Sequence, residues 1–375
     1  MPEALFHSPH LTKISYGPGH PFQVERLEDL LGMLGALELL PPPPVETGPA
    51  TREEIARGHD LAYLDALEAA ETLPPRETVA WGFGAGDNPV FPGLWESCRL
   101  IAGGSLAAAR WLRDRIEEGE DRPRAFHPGG GLHHAHRARA AGFCYVNDPV
   151  LAIRVLVDAG LRVLYVDVDA HHGDGVQEAF YASRAVLTVS IHQDGRTLFP
   201  GTGFPNESGS GDGAGYAVNF PLLPGAGDEE HRRFQRLVLE PLKDRYRPDV
   251  LVTEIGVDAL PDDPLALLEW SLCGLDDFLR WADGTDLPWL SFGGGGYRRW
   301  NVIRGWSLVW ARMRGRTLPE ERPAHGPGGP LPESWPRRFW DEPPSRHLTD
   351  PQVRREHFDQ VLSFLQERVF PRIGT

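Results

Sequence analysis

The stretch Val163-Leu-Tyr-Val-Asp-Val-Asp-Ala-His-His-Gly-Asp-Gly175 constrains the fold of this chain more than any other. It begins with apolar and β-branched residues, which are typical of a buried strand in a parallel sheet. It then places acidic and imidazole side chains close together, namely Asp167, Asp169, His171, His172 and Asp174. Alternate residues of a strand share a face, so we expect Asp167, Asp169 and His171 to point the same way. Two carboxylates and an imidazole that converge at a strand end suit a divalent metal ion.

Further segments repeat this arrangement, in which an apolar strand ends on polar residues. The stretch Val250-Leu-Val-Thr-Glu-Ile-Gly-Val-Asp258 ends on an aspartate, and Pro288-Trp-Leu-Ser-Phe-Gly-Gly-Gly-Gly-Tyr297 ends on a tyrosine. The tandem pair His133-His134 follows three glycines, shortly after another strand. Strands that alternate with helical patterns predict an α/β fold with a central parallel β-sheet flanked by helices. Sites of such sheets lie outside the carboxyl ends of the strands, so these residues are expected to form one site.

The residue types at these strand ends indicate metal and acid/base chemistry. Tandem histidines beside a metal-binding strand are better interpreted as acid/base groups than as structural residues. The alternative for the acidic stretch is a solvated loop, but acids this dense after a buried strand need a partner. The four glycines before Tyr297 suggest a phosphate loop, yet no Gly-Lys-Ser/Thr sequence follows them. A backbone bend that places Tyr297 is the better interpretation.

The composition limits the class of partner and the compartment. The formal net charge of -15 opposes a nonspecific grip on DNA or RNA and is compatible with cationic ligands such as lysine-bearing peptides or polyamines. No apolar run approaches the roughly 20 residues that a membrane span needs. The N-terminus lacks a basic region followed by an apolar one, and Cys98, Cys144 and Cys273 show no C-x-x-C spacing. We therefore expect a cytoplasmic protein that has no disulfide framework and binds neither nucleic acid nor membrane.

The chain is long enough for a sizeable core, with 375 residues of which 41% are hydrophobic. No internal repeat or linker divides it, and we predict a single domain over residues 1–375. Residues 315–345 are rich in Pro, Gly and Arg and are expected to cover the surface as irregular chain. Asp350-Pro351 then offers an N-cap with proline at the first helical position, which predicts a terminal helix over residues 350–370.

Several motifs resemble those of the zinc-dependent histone deacetylase family. They are Gly-Gly-Gly-Leu-His133-His134, Gly142-Phe-Cys-Tyr-Val-Asn-Asp148, Tyr165-Val-Asp-Val-Asp-Ala-His-His-Gly-Asp-Gly175, Phe199-Pro-Gly-Thr-Gly203, Gly256-Val-Asp258 and Gly293-Gly-Gly-Gly-Tyr297. Their order and spacing hold from about residue 10 to residue 310. The loop Gly86-Asp-Asn-Pro-Val-Phe-Pro-Gly93 is similar to that of the bacterial acetoin-utilisation deacetylase branch.

The resemblance implies an arginase-like α/β fold and a zinc-dependent hydrolase. One catalytic zinc ion would have three protein ligands and an open position for water and the substrate carbonyl, the ligands being Asp169, His171 and Asp258. The catalytic side chains would be an acid/base pair, its carboxylate partners and an oxyanion donor, namely His133 and His134, Asp167 and Asp174, and Tyr297. Two potassium sites would follow, the first at Asp167, Asp169, His171, Ser190 and Ile191, and the second at Phe180, Ser183, Val186 and Tyr216.

By the same resemblance, the residues expected to bind the substrate would surround a narrow access tunnel. Phe143, next to Gly142, and Phe199 match the two aromatic residues that flank the tunnel in the family, and Leu265 matches an apolar wall position. Asp87 would lie at the rim, where a carboxylate can accept hydrogen bonds from backbone amides that flank an acetyl-lysine. We therefore expect hydrolysis of the acetamide of acetyl-lysine in a protein or peptide, which gives acetate and free lysine.

Three other functions remain as alternatives. An acetylpolyamine amidohydrolase would share the chemistry and differ in its substrate. A catalytically inactive relative that only binds acetylated ligands would be expected to lose the tyrosine or a histidine, and both are present. A binuclear manganese ureohydrolase would need further carboxylates where Gly173 and Leu260 stand.

Two positions depart from the family pattern. Glu254 stands where an uncharged residue such as Gln is expected, and Arg298-Arg299 follow Tyr297 where the family often has Asn. The second departure bears on substrate preference near the tyrosine and not on the chemistry.

Overall fold

The structure of the protein, a computed structural model, describes residues 2–11, 14–23, 25–40, 42–84, 86–341 and 348–374. Within these ranges the strands are Glu3–His7 (β1), Val45–Glu46 (β2), Arg124–His127 (β3), Val163–Asp167 (β4), Val186–Gln193 (β5), Ala217–Leu222 (β6), Val250–Glu254 (β7), Trp289–Phe292 (β8), His325–Gly326 (β9) and Gly329–Pro330 (β10). The helices are Arg26–Ala36 (α1), Arg52–Ile55 (α2), Leu61–Glu68 (α3), Pro75–Val79 (α4), Leu94–Glu117 (α5), Asp148–Asp158 (α6), Asp174–Phe180 (α7), Asp228–Phe234 (α8), Glu240–Tyr246 (α9), Leu272–Asp283 (α10), Arg299–Met313 (α11) and Pro351–Arg368 (α12).

Strands β1 to β8 form one sheet in which every neighbouring pair is parallel. Their order is β2-β1-β3-β8-β7-β4-β5-β6. Every residue of β4, β5, β7 and β8 is buried, so both faces of the central sheet are covered. This burial explains why these strands are almost continuously apolar and β-branched. The predicted central parallel sheet flanked by helices is confirmed.

The strand register aligns the carboxyl ends of the central strands at one edge. Asp167, the last residue of β4, lies opposite Ser190 of β5 and Glu254 of β7. Glu254 lies in turn opposite Phe292, the last residue of β8, and His127 of β3 also pairs with Phe292. The loops that follow β3, β4, β7 and β8 therefore start side by side, as expected for a site at this edge.

Helices α5 and α6 fix the loop that follows β3. Asp148, the first residue of α6, accepts hydrogen bonds from Gly131 N at 2.9 Å and from Leu132 N at 2.8 Å. The hydroxyl of Ser105 in α5 donates to the same carboxylate at 2.5 Å. Burial raises the pKa of Asp148 to about 6, against the effect of these donors. The contacts hold the chain immediately before the tandem histidines in one conformation.

The C-terminal part of the chain is only partly irregular. Residues 315–341 contain the antiparallel pair β9–β10, which the predicted irregular surface segment did not include. The segment is anchored by Phe339, which is buried and stacks on Trp300 of α11 with ring centroids 5.6 Å apart. Residues 342–345 of the predicted segment lie outside the described residues. No helix in the described part of the chain is long and apolar enough to cross a membrane.

The predicted terminal helix is present as α12. Asp350 caps it, because its carboxylate accepts a hydrogen bond from Gln352 N at 2.7 Å. The helix ends at Arg368, close to the expected limit, and a 3₁₀ turn Phe370–Arg372 follows. That the whole chain is a single domain stays a prediction.

Candidate active site

Three side chains from the loops after β4 and β7 converge on one point. His171 Nδ1 lies 3.0 Å from Asp169 Oδ1 and 2.9 Å from Asp258 Oδ2. All three residues are buried, and one ligand atom of each lies within 4.8 Å of the others. Among the described residues, they are the only group of at least three His, Cys, Asp or Glu side chains with this spacing. Two carboxylate oxygens and one imidazole nitrogen form a ligand set that suits zinc and leaves a fourth position open.

Backbone groups hold the two carboxylates in this orientation. Gly295 N donates to Asp169 Oδ2 at 2.8 Å, and Ala170 N donates to Asp258 Oδ1 at 2.8 Å. The other oxygen of each carboxylate therefore faces His171. Glycine is required at position 295, because a Cβ there would lie 2.3 Å from Asp258 Oδ2.

The electrostatics of this cluster favour a bound cation. Burial and the neighbouring Asp169 raise the pKa of Asp258 to about 7. Burial lowers the pKa of His171, but its hydrogen bonds to Asp169 and Asp258 outweigh burial and raise this pKa to about 10. Two carboxylates buried this close together repel each other unless a positive charge lies between them. The residues of the cluster therefore fit a divalent metal ion.

Beside the cluster lie two histidine–aspartate pairs with the same geometry. In the inner dyad, His133 Nδ1 is 2.8 Å from Asp167 Oδ2, and in the outer dyad His134 Nδ1 is 2.8 Å from Asp174 Oδ1. The Nε2 atoms of the two rings face each other at 3.0 Å. The inner dyad lies against the cluster, since His133 Nε2 is 4.0 Å from Asp169 Oδ1. The fold thus brings the predicted acid/base pair and its predicted carboxylate partners together.

The two imidazoles of the dyads have opposite pKa shifts. Burial lowers the pKa of His133, but Asp167 and Asp169 outweigh burial and raise this pKa well above the ordinary value of 6.5. Burial and the charge of His133 lower the pKa of His134 to about 4. At neutral pH the inner imidazole is therefore protonated and the outer one is neutral. Nε2–H of His133 can then donate to Nε2 of His134.

Tyr297 lies beside the cluster. Its ring centroid is 6.4 Å from that of His171 and 5.6 Å from that of Phe143. Its backbone N donates to Asp263 Oδ2 at 2.8 Å, and Asp263 Oδ1 accepts from Leu265 N at 2.9 Å. Burial raises the pKa of Tyr297 well above 10, so the hydroxyl stays protonated and can donate a hydrogen bond.

Sequence reasoning missed two residues that hold the loop of Tyr297. The first is Asp263, whose place before Pro264 is a turn signal that could have indicated it. The second is Arg26 of α1, which donates to Gly294 O and to Gly296 O at 3.0 Å each. No local pattern connects residues that are 268 and 270 positions apart.

Two aromatic rings lie beside the outer dyad and Tyr297. The ring of Phe199 meets the ring of His134 edge to face at 5.0 Å. A Cβ on Gly142 would lie 2.5 Å from His134 Cδ2 and 2.8 Å from the Phe199 ring, so only glycine fits there. Phe143 follows on the other side and contacts Tyr297. Leu265 is half-buried beside the Tyr297 loop.

Asp87 is exposed and reaches this region through His20. The backbone O of Asp87 accepts a hydrogen bond from His20 Nε2 at 3.2 Å. The ring of His20 contacts the ring of Phe143 edge to face at 4.7 Å. The placement of Asp87 is compatible with the expected rim position.

The two predicted potassium sites lie at opposite ends of β5. The first set lies at the carboxyl ends of β4 and β5 and consists of Asp167, Asp169, His171, Ser190 and Ile191. The second set lies at the amino end of β5 and consists of Phe180, Ser183, Val186 and Tyr216. Ser183 N donates to Phe180 O at 2.9 Å, which forms a compact turn beside this end of the strand. Ion binding at either set stays a prediction.

Glu254, noted above as a departure, is fully buried beside the inner dyad. Neither of its carboxyl oxygens has a hydrogen-bond partner among the described residues. A Cβ on Gly131 would lie 2.2 Å from Glu254 Oε1, so the side chain is enclosed by the loop before the histidines. Burial raises the pKa of Glu254 well above 4.5, with a further contribution from Asp167. The surroundings therefore favour the protonated carboxyl, which is uncharged like the Gln expected at this position.

The chain is similar to known proteins in sequence and in structure. A family model described as the histone deacetylase domain matches residues 20–313. Histone deacetylase 9 of Arabidopsis thaliana is 36% identical over 330 residues, which cover 85% of this chain and 75% of the relative. The acetoin utilization protein AcuC of Bacillus subtilis strain 168 is 36% identical over 349 residues, covering 89% of this chain and 86% of the relative.

A solved structure is also similar over nearly the whole chain. It is a crystal structure of an HDAC homolog complexed with SAHA, with a TM-score of 0.84 and 29% sequence identity, covering 96% of this chain and 100% of that one. The deacetylase-like fold and the family predicted from the motifs are both confirmed. The chain belongs to the histone deacetylase family of metal-dependent amidohydrolases.

Proposed function

We propose that this chain removes the acetyl group from acetyl-lysine in a protein or peptide by zinc-dependent hydrolysis, which gives acetate and free lysine. The observation that carries the proposal is the meeting of the Asp169–His171–Asp258 cluster, the two dyads and Tyr297 at one sheet edge. Amide hydrolysis needs these parts, because it requires a Lewis acid, a base, an acid and a donor to the oxyanion.

The cluster would hold one zinc ion per chain through Asp169, His171 and Asp258. A bound zinc ion would polarise the amide carbonyl and lower the pKa of a water molecule. Its charge would offset that of the two buried carboxylates. The hydrogen bonds from Gly295 N and Ala170 N keep one oxygen of each carboxylate aimed at the ion, since they occupy the other.

The dyads would move the protons. The Asp174 carboxylate accepts from Nδ1–H of His134, so Nε2 of the neutral ring is the acceptor, and it would exchange the hydrogen bond from His133 for a proton from water. His133 holds a proton on Nε2 and would donate it to the departing lysine nitrogen. The two Nε2 atoms are 3.0 Å apart, so the proton taken by His134 can pass to His133 after the reaction. The Tyr297 hydroxyl would donate to the negatively charged oxygen of the former carbonyl.

The aromatic rings beside the cluster suit a substrate whose methylene stem ends in a small acyl group. Phe143 and Phe199 offer apolar surface, and burial of each methylene stabilises the complex by about 0.8 kcal/mol. The carboxylate of Asp87 is exposed, and it would accept hydrogen bonds from the backbone amides that flank an acetyl-lysine. An acetylated polyamine has the same stem but no such amides.

We further propose that the protein binds potassium at the two sets of residues beside β5 and acts in the cytoplasm on acetylated proteins. Backbone oxygens and hydroxyls of these sets are suitable ligands for a hard monovalent cation. The net charge of -15 supports a lysine-bearing partner and opposes nucleic acid.

A turnover panel tests the substrate. Zinc-loaded enzyme would be given an acetyl-lysine peptide, a minimal acetyl-lysine analogue without flanking amides, an acetylated protein and an acetylated polyamine. We expect faster turnover of the peptide than of the polyamine, and Asp87→Ala should slow the peptide more than the minimal analogue. Faster turnover of the polyamine than of every acetyl-lysine substrate would establish an acetylpolyamine amidohydrolase instead.

Elemental analysis tests the metal assignment. Asp258→Ala should fold and hold much less than one zinc ion per chain, whereas the control Asp121→Ala, at an exposed acid far from the cluster, should hold one. Full zinc occupancy in Asp258→Ala would refute the ligand set.

A further inference from the structure

A cavity of about 750 Å³ lies at the amino ends of the central strands, at the opposite edge of the sheet from the active site. Four arginines line this arginine cavity, namely Arg162, Arg184, Arg245 and Arg247. Arg162 immediately precedes β4, Arg184 lies two residues before β5, and Arg247 leads from α9 into β7. The register pairs the first residues of these three strands, so the arginines start side by side. The cavity is therefore separate from the site at the carboxyl ends.

The lining of the arginine cavity is strongly basic. In the described part of the chain, Asp244 is the one carboxylate that lines it, and Asp244 Oδ1 lies 3.4 Å from Lys243 Nζ. Asp249 is close by and pairs with Arg162, with 3.4 Å between Oδ2 and Nε. Guanidinium groups stay protonated in proteins, so the four arginines repel one another. In a chain with a net charge of -15, an anion bound between them would offset this repulsion.

Two of the four guanidinium groups are held by aromatic rings. Arg162 lies over the ring of Tyr246 at 5.8 Å, and Arg184 lies over the ring of Tyr216 at 5.7 Å. Both rings are buried and meet edge to face at 5.8 Å. Arg162 also donates to Tyr246 O at 2.9 Å and to Arg247 O. The carbonyl groups at the end of α9, which would otherwise repel an anion, are thus covered.

The other two arginines are less engaged. Arg245 Nη1 makes a long hydrogen bond of 3.4 Å to Phe370 O. The side chain of Arg247 has no hydrogen bond or ion pair with any residue that the structure describes. Arg247 also takes the left-handed conformation, with φ 51° and ψ 63°, at the end of α9, where glycine is the usual residue. An arginine without a partner at a position that favours glycine indicates that its guanidinium group meets a ligand.

We infer that the arginine cavity binds a small molecule that carries two or more phosphate groups. Arg245 and Arg247 would bind the phosphate oxygens, because a guanidinium group offers paired N–H donors that match their geometry. Arg162 and Arg184 would supply positive charge that the rings already hold in place. The volume lies within the range of about 300–1,000 Å³ that is typical of small-molecule sites, and it exceeds what a single phosphate needs. The inference does not depend on the proposed deacetylase reaction.

Calorimetric titration of the full chain with inorganic diphosphate, ADP and adenosine tests the inference. The ionic strength is held constant in a sodium buffer, and potassium is left out because its predicted second set shares Tyr216 with the cavity. We expect diphosphate and ADP to bind with dissociation constants below about 1 mM, and adenosine not to bind. Tighter binding of ADP than of diphosphate would identify the ligand as a nucleotide, whereas equal binding would identify the phosphate groups alone as the feature bound. Absence of binding by both diphosphate and ADP would overturn the inference.

A pair of variants locates the binding. Arg247→Gln should weaken the binding of diphosphate about tenfold, because it removes a charge-assisted contact. The control Arg76→Gln removes the same charge from a side chain that is 84% exposed beside Glu77, and it should bind as wild type does. Equal affinities in the two variants would mean that no contact with Arg247 is made, and the inference would fail. If Arg247→Gln does not fold, Arg245→Gln, at another exposed arginine of the cavity, takes its place with the same expectation.

Discussion

The inner and outer dyads have the same geometry but different surroundings. In each, an imidazole Nδ1 lies 2.8 Å from a carboxylate oxygen, and all four side chains are at most 10% exposed. The carboxylate of Asp169 lies beside the inner dyad, whereas the outer dyad meets the cationic His133 on one side and His136 on the other. The inner imidazole is accordingly held protonated and the outer one neutral.

Because the two dyads share one geometry, the histidine–aspartate pair does not by itself define the protonation state of its imidazole. The charges one layer further out decide it, since a carboxylate within a few ångströms favours the imidazolium and a cation disfavours it. The protein thus obtains an acid and a base from two copies of one motif, and the two copies can be separated by experiment.

The largest expected effect comes from replacing the two dyad histidines one at a time. We expect His134→Ala to lower kcat by about a hundred- to ten-thousand-fold while zinc content is unchanged, because a general base contributes roughly this much. The acidic limb of the pH–rate profile should also disappear from the residual activity. His133→Ala should slow the reaction but retain that limb. An acidic limb that persists unchanged in His134→Ala would assign the base to another group.

Replacing the carboxylate of each dyad should have a smaller effect on activity. The two replacements should also change the pH–rate profile in different ways. Partners of this kind typically contribute about 10- to 100-fold to activity. Asp167→Asn removes the main cause of the raised pKa of His133, so the basic limb should move to lower pH. Asp174→Asn removes the carboxylate that accepts from Nδ1 of His134, so activity should fall at every pH while the basic limb stays in place. The control Asp65→Asn, at an exposed acid on α3, should change neither profile. Identical profiles for the two dyad variants would mean that the dyads are equivalent.

Zinc removal should change the pKa of the inner imidazole, His133, and leave the pKa of the outer imidazole, His134, unchanged. The negative charge of Asp169 is a cause of the raised pKa of His133, and a divalent cation bound at Asp169 would oppose it. We therefore expect the pKa of His133 to be higher in zinc-free than in zinc-loaded protein, by about one to three units. Imidazole NMR of the two forms measures this, with His357 on α12 as an internal reference that should not change. A pKa of His133 that is the same in both forms would argue against zinc at this cluster.

Much of the fold was predictable because its cause is local. Strands such as Val163–Asp167 and Val250–Glu254 are apolar throughout since both faces of the sheet are covered, and each ends where polar residues begin. In a parallel sheet these ends share one edge, so Asp169, His171 and Asp258 could be placed together before any contact was known. The dyad partners followed from the family resemblance and not from the pattern.

The contacts that tune the site could not be predicted in this way. Arg26 donates to Gly294 O and Gly296 O, which lie 268 and 270 positions further along the chain. His136 meets Asp174 only because α7 packs against the loop of the tandem histidines. Such pairs depend on how loops pack and not on any period in the sequence. The short strands β9 and β10 lie in a Pro- and Gly-rich segment, whose composition indicates irregular chain.

The smallest expected effect concerns Glu254, the buried acid beside the inner dyad. Its pKa is raised in the folded protein by burial, so over the range between the unfolded and folded values only the folded state holds the proton. The stability that this group contributes is therefore complete below about pH 4.5 and is lost as the pH rises, with a slope of up to about 1.4 kcal/mol per pH unit.

Glu254→Gln keeps the shape of the side chain and removes this dependence of the free energy of unfolding on pH. Urea unfolding of the zinc-loaded proteins should show similar free energies of unfolding at pH 5 and a more stable variant at pH 8, whereas Glu77→Gln, at an exposed acid, should follow wild type. Parallel curves for wild type and Glu254→Gln would mean that Glu254 is charged in the folded protein, and the inner dyad would then owe part of its positive charge to that carboxylate.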